Sequence, residues 1–250
     1  MWLKWKDLKM NENTKLEIKT LIPFGPIILH AKVPDYVINN YNKYCDDVIA
    51  DKKKLKVQDH AHNLAGNVKS EFRIDREFIE EEKNMHGIIN SMAKHMLSAE
   101  ARGPEDSISL SYLVNNPVGE IAVGIEDITG AQLLSMWAVS QWAGDFNPLH
   151  VHSGDLSGVI YLKIPEGRDA EYEKEDHHPA IGDIQFIAGT PQAFNRNNLK
   201  IKPNVGDMFL FPAWLHHTAY PFRTPNQERR SISFNIIYTN NMSKMGEFKK

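Results

Sequence analysis

Cysteine is almost missing from this chain: Cys45 stands alone. That excludes an internal disulfide and any zinc site built on thiolates. No apolar run approaches the ~18 residues needed to span a bilayer, so no membrane partner is expected. Neither sign of charge dominates, with Lys+Arg 29 against Asp+Glu 32 and a net charge of −3. A dedicated nucleic-acid binder carries a clear basic excess, so nucleic acid is not expected as a partner either. Internal repeats and low-complexity tracts are also missing. The opening Met-Trp-Leu-Lys-Trp-Lys has no signal-peptide core followed by a cleavage site. With a single thiol, this points to reducing, cytoplasmic surroundings.

What is present has two textures. Residues 1–16 are polar and Lys-rich and read as a loosely attached arm. Pro23 to Val33 reads as a strand. Asp35 is placed to cap a helix to about Asp51, with Val37, Tyr41, Tyr44 and Val48 near one face. Asp51-Lys-Lys-Lys-Leu-Lys reads as a solvated stop. Residues 56–72 read as a loop, whose His60 and His62 are structural or at the rim of a site. A second helix is expected from about Asp75 to Ala101, striped by Phe78, Ile79, Met85, Ile88, Met92 and Met96 and ended by Arg102-Gly103-Pro104. Cys45 and these Met residues read as core.

After Pro104 short apolar or alternating runs follow one another, broken by Gly, Pro, Asn and Asp. Such runs predict a β-sandwich or small barrel. The expected class is α+β, mainly β: a jelly roll with N-terminal helices packed on one sheet. The 250 residues are expected to form one domain, because nothing linker-like divides them. Residues 1–104 would supply the arm and helical support, and 105–240 the jelly-roll core.

The chemistry gathers in that second half. In Leu149-His150-Val151-His152 the histidines alternate with aliphatics, so on a strand both imidazoles share one face while Leu149 and Val151 pack on the other. The turn Ser153-Gly154-Asp155 follows, and the return strand carries Tyr161. His217 begins a later strand after Pro212-Ala-Trp-Leu-His216. In the last core strand Arg229, Ser231, Ser233 and Asn235 alternate with Arg230, Ile232 and Phe234. A polar face on an apolar strand suits either a wet, charged pocket or a solvent-facing edge. Three imidazoles on one side of a metal ion, with a cation and a hydroxyl nearby for a carboxylate, are the parts of an iron enzyme that uses an acidic co-substrate.

The His-x-His, Ser-Gly-Val-Ile-Tyr-Leu, Phe-Pro-Ala-Trp-Leu-His-His and Arg-x-Ser-Ile-Ser-Phe-Asn stretches resemble the iron(II)- and 2-oxoglutarate-dependent oxygenases. Within that superfamily the branch common in bacteria and phages, related to prolyl hydroxylases, is the nearest in style. The resemblance covers roughly residues 105–240. It implies a double-stranded β-helix and an enzyme that needs Fe(II), 2-oxoglutarate and O2. The implied reaction hydroxylates a C–H bond of a small-molecule or peptide substrate, in the manner of a prolyl hydroxylase, while 2-oxoglutarate is decarboxylated to succinate and CO2. His150 and His217 match the first and last metal ligands. Arg229 and Ser231 match the pair that grips the distal carboxylate of 2-oxoglutarate, and Tyr161 a tyrosine that donates to it. No catalytic residue beyond this set is implied.

One position departs from the pattern. The superfamily places Asp or Glu two residues after the first histidine; this chain has His152. His152 itself, Asp155 swung in from the turn, or water could complete the metal face. Three neutral imidazoles would leave the ion at its full double charge, which a dianionic co-substrate offsets. Two rival readings use the same residues. A cupin-type three-histidine iron dioxygenase accommodates His152 but leaves Arg229-x-Ser231 without a role. A non-catalytic jelly-roll binding module leaves the ordered histidines and arginine as coincidence.

Overall fold

Side-chain alternation sorts the residues of the long strands onto two opposite faces, and the architecture follows from what covers each face. The computed structural model describes residues 3–4, 18–21, 25–60, 68, 70–101, 112–114, 121–123, 128–172, 180–193 and 197–240. In chain order the elements are β1 (Leu3–Lys4), β2 (Ile18–Leu21), β3 (Ile28–Lys32), α1 (Asp35–Ala50), α2 (Lys52–Gln58), β4 (Ser70–Arg73), α3 (Arg76–Glu81) and α4 (Lys83–Ala101). There follow β5 (Tyr112–Val114), β6 (Ile121–Val123), β7 (Ile128–Gln141), β8 (Asn147–His150), β9 (Leu156–Lys163) and α5 (Arg168–Tyr172). The last five are β10 (Ile184–Ile187), β11 (Asn198–Ile201), β12 (Asp207–Pro212), β13 (His216–Ala219) and β14 (Arg229–Asn240).

The large sheet runs β1-β7-β14-β9-β12-β3-β2, with β4 added at β7; the small sheet runs β11-β10-β13-β8. Every pairing among them is antiparallel. This is the jelly roll expected, mainly β with helices on one sheet. The helices cover the outer face of the large sheet. Val37, Tyr41, Cys45, Met85, Met92 and Met96 form one buried cluster with Phe72, Ala138, Ile160 and Phe234. A second cluster lies between the sheets, where Ile28, Tyr161, Phe186, Phe209 and Phe211 meet. Cys45 is buried and unbonded.

Gly158 is required by one close approach. A Cβ built there would lie 2.1 Å from the Phe234 ring, and that ring is fully buried. Gly158→Ala is therefore expected to cost about 2–3 kcal/mol, measurable as a lowered urea midpoint.

The helical half differs from the sequence reading in several places. Pro34, not Asp35, occupies the N-cap of α1. α1 stops at Asp51 as expected, but the lysines beyond it are helical: the Asp51 carboxylate accepts from the backbone N–H of Lys53 and Lys54 and starts α2. The long second helix is broken at Glu82, whose backbone leaves the helical region and whose carboxylate accepts from Met85 N at 2.9 Å. A local capping contact outcompetes helix continuation there. The supposed loop 56–72 holds the end of α2 and the edge strand β4. Of the N-terminal arm, Leu3–Lys4 pairs with β7. His62 and the Arg102-Gly103-Pro104 stop lie outside the described residues.

Candidate active site

The antiparallel register of the small sheet sets His217 directly opposite His150. His152 follows just past the end of β8, its backbone N–H bonded to Ala213 O at 2.9 Å. The three rings converge. Their centroids are 4.3 Å apart for His150–His217, 4.9 Å for His150–His152 and 5.0 Å for His152–His217. Nε2 of His152 and Nε2 of His217 are 3.2 Å apart, and one ligand atom from each ring lies within 4.8 Å of the other two. That is the span of a cluster that could hold one metal ion, since imidazole nitrogens sit about 2.0–2.1 Å from a zinc-sized ion.

Backbone carbonyls orient two of these rings. His150 Nδ1 meets Pro148 O at 2.6 Å, and His217 Nδ1 meets Leu215 O at 2.9 Å. With the Nδ1 proton donated to a carbonyl, Nε2 is left as the free lone pair. Burial lowers the pKa of all three rings, to about 4 for His152 and about 3 for His217, with the charge of His150 lowering both further. The neutral form that binds metal is therefore the resting form.

Asp155 does not join them. Its carboxylate accepts from the backbone N–H of Tyr238 at 2.7 Å. The expected packing of Leu149 and Val151 is also overturned: they are 52% and 45% exposed. Strand β8 is the edge of the small sheet. Trp142 and Trp214 are likewise exposed and outside the cavity wall.

A cavity of about 490 Å3 opens beside the histidines. Strand β14 supplies one wall through Arg229, Ser231, Ser233 and Asn235. It is a central strand between β7 and β9, so the polar face lines a pocket and not an edge. Arg229 is 2% exposed, yet its Nε and Nη1 have no hydrogen-bond partner. Its Nη2 donates to the Tyr161 hydroxyl at 3.3 Å, and its Cζ lies 5.2 Å from the centre of that ring. Ser231 pairs across the strands with Tyr161. Arg230 points the opposite way, into Glu228 and Asp46.

Of the other wall residues, His60 was read as structural or at the rim of a site, and Trp137, Gln141 and Arg73 were not singled out by the sequence. Trp137 and Gln141 lie within a run that read as plain apolar strand, and Arg73 lies on β4, which is too short to show alternation. His60 also lines the cavity, accepting from Arg73 Nε at 3.1 Å, with its ring 5.8 Å from that of Trp137. Gln141 Nε2 donates to Asn147 Oδ1 at 2.8 Å.

Glu71 pairs across β4 and β7 with Val139, one of the wall residues. Burial raises its carboxyl from an ordinary 4.5 to about 7; an Asn147 contact opposes the shift and Asp59 adds to it. A folded pKa above the unfolded one means that the folded state holds the proton longer. Stability is then full below about pH 4.5 and falls as pH rises through about 7. Glu71→Gln is expected to be more stable than the parent at pH 8 by about 2 kcal/mol, after allowing for solvent screening. The two should unfold at similar urea concentrations near pH 4.

Residues 135–235 match a family profile described as "Putative 2OG-Fe(II) oxygenase". No curated protein matches the chain. Among solved structures, a 2OG-Fe(II) oxygenase family oxidoreductase from Burkholderia pseudomallei is 16% identical over 44% of this chain and 46% of its own, with a TM-score of 0.33. The chain thus spans under half the length of that structure. A prolyl-4-hydroxylase from Pseudomonas putida is 12% identical over 90% of this chain and 92% of its own, with a TM-score of 0.43. A Trichoplax adhaerens prolyl hydroxylase, solved with a hypoxia inducible factor peptide, is 12% identical over 93% and 87%, with a TM-score of 0.47. The matched segment contains all three clustered histidines, the orphaned arginine and both of its neighbours across β14 and β9. Over that segment the chain is similar to the 2OG-Fe(II) oxygenases of the profile.

Proposed function

We propose that His150, His152 and His217 hold one face of the iron(II), and that Arg229, with Ser231 and Tyr161, binds the distal carboxylate of 2-oxoglutarate. The protein then hydroxylates a C–H bond of a small-molecule or peptide substrate. The observation that carries this reading is the Arg229 guanidinium: buried, cationic, unpartnered at two nitrogens, and facing the same cavity as the histidines. A buried charge without a partner is costly, and a dianion beside a metal site is what would offset it. When bound, iron(II) and 2-oxoglutarate supply oxidation of a C–H bond by dioxygen, with succinate and CO2 as co-products.

The residues themselves do three things. Pro148 O and Leu215 O keep the His150 and His217 rings aimed. Arg229, fixed against the Tyr161 ring, would read the far end of the co-substrate through paired N–H donors. Ser231 and the Tyr161 hydroxyl offer two further donors. We read the helices and the jelly roll as one domain, because helix and sheet side chains share one buried cluster. A three-histidine dioxygenase that does without 2-oxoglutarate would leave Arg229 unpaired, and a binding module would leave the converging imidazoles unexplained.

Anaerobic mixing of the protein with iron(II) and 2-oxoglutarate tests this. A weak visible charge-transfer band is expected, absent in His217→Ala, followed by slow succinate formation in air. Iron binding without the band would favour the three-histidine reading without 2-oxoglutarate. Neither iron nor band would leave only a binding module.

A further inference from the structure

The cavity continues past the histidines, away from Arg229, and that end has its own chemistry. Its floor is the inner face of the large sheet. Asn235 lies between Ser135 and Ser157 on the neighbouring strands, and Arg73 lies beside Trp137. All five residues line the cavity. Asn235 is 6% exposed, and its Oδ1 has no hydrogen-bond partner. A buried acceptor left unpaired in a cavity wall awaits a donor. Arg73 is held at one corner, its Nε donating to His60, which leaves, among the described residues, the two terminal nitrogens of its planar fork. Among the described residues two arginines and no carboxylate line the cavity.

We propose that this end receives the substrate, and that the substrate is a small acid: its anionic group pairs with Arg73, and a nearby N–H or O–H donates to Asn235 Oδ1. The inference rests on the oxygenase reading above, because Arg229 must be committed to 2-oxoglutarate for Arg73 to serve a second anion. Strand spacing supports the pairing. Two strands across and two residues along separate the Arg73 and Asn235 Cα atoms by on the order of 12 Å. An arginine side chain and a molecule of amino-acid size together bridge that gap. Between them lies Trp137, whose ring is 5.6 Å from that of His152. A ligand lying over Trp137 is therefore beside the metal face.

The test uses the whole protein loaded with zinc(II) and saturated with 2-oxoglutarate, so that Arg229 is occupied. The probes are the free L-amino acids and their C-terminal amides, titrated by calorimetry. At least one acid is expected to bind about tenfold or more tightly than its own amide, the scale of one charge-assisted contact. Arg73→Gln should bring that ratio close to one. Asn235→Asp, which sets a negative charge against the same anion, should weaken the acid by a similar factor. The proposal is overturned if no acid binds, if acid and amide bind alike, or if Arg73→Gln leaves the ratio intact. Failure of 2-oxoglutarate itself to bind would remove the oxygenase reading, and this proposal with it.

Discussion

Arg229→Met is expected to make the free protein more stable while abolishing its response to 2-oxoglutarate. The guanidinium is 2% exposed and leaves two nitrogens unpartnered. Its compensation is one hydrogen bond to Tyr161 and the face of that ring, with Asp183 acting on it only through space. Methionine fills a similar volume without a charge to desolvate. A gain of about 1–3 kcal/mol is expected, or roughly 2–12 °C in melting temperature for a chain of this size. The parent should in turn be stabilised by added 2-oxoglutarate, by about 2.7 kcal/mol at a hundred times the dissociation constant. That shift should vanish in the variant, whose affinity falls by about a hundredfold or more. Thermal melts with and without 2-oxoglutarate measure both effects. A 2-oxoglutarate shift that survives the substitution would show that the co-substrate carboxylate goes elsewhere.

The adjacent residue should respond with the opposite sign. Arg230 is also 2% exposed, but both of its edges are paired. Its Nε and Nη2 each lie 2.8 Å from Glu228, Nη2 also reaches Asp46 at 2.8 Å, and Nη1 donates to Asn42 O at 3.2 Å. Ser140 and Lys163 complete the ring around Glu228. This network ties α1 to the outer face of the large sheet. Glu228→Ala would strip the guanidinium of its bidentate partner and is expected to cost about 3–5 kcal/mol, or roughly 6–20 °C in melting temperature. The double variant Glu228→Leu with Arg230→Met should recover most of that loss, because it removes the stranded charge. A Glu228→Ala protein that melts within a degree or two of the parent would mean that Asp46 and Asn42 suffice.

These opposite outcomes arise from strand alternation, which was legible in the sequence. The polar row Arg229, Ser231, Ser233, Asn235 marked one wall of the cavity, and the His-x-His spacing marked the face on which the imidazoles converge. The short runs after Pro104 indicated a jelly roll. Alternation alone could not tell what lies above each face. Leu149 and Val151 therefore seemed to be core, although the edge position of β8 leaves them in solvent. His60 comes from the segment 56–72 that read as loop, and Arg73 from the end of β4 just past it, where four residues of edge strand carry too little periodicity. The helix restart at Asp51 and the break at Glu82 were hidden for a related reason: each depends on one side-chain capping contact. The carbonyl contacts of Pro148 and Leu215 carry no residue-type signal at all, since any residue offers the same backbone oxygen.

Those two carbonyls bear on how the metal comes and goes. The His150 and His217 rings are tethered by main chain that the small sheet already fixes, so on the proposed reading an ion would be a guest in a finished fold and not a folding nucleus. A chelator should empty the centre without melting the protein, and added metal should refill it on the timescale of diffusion and ligand exchange.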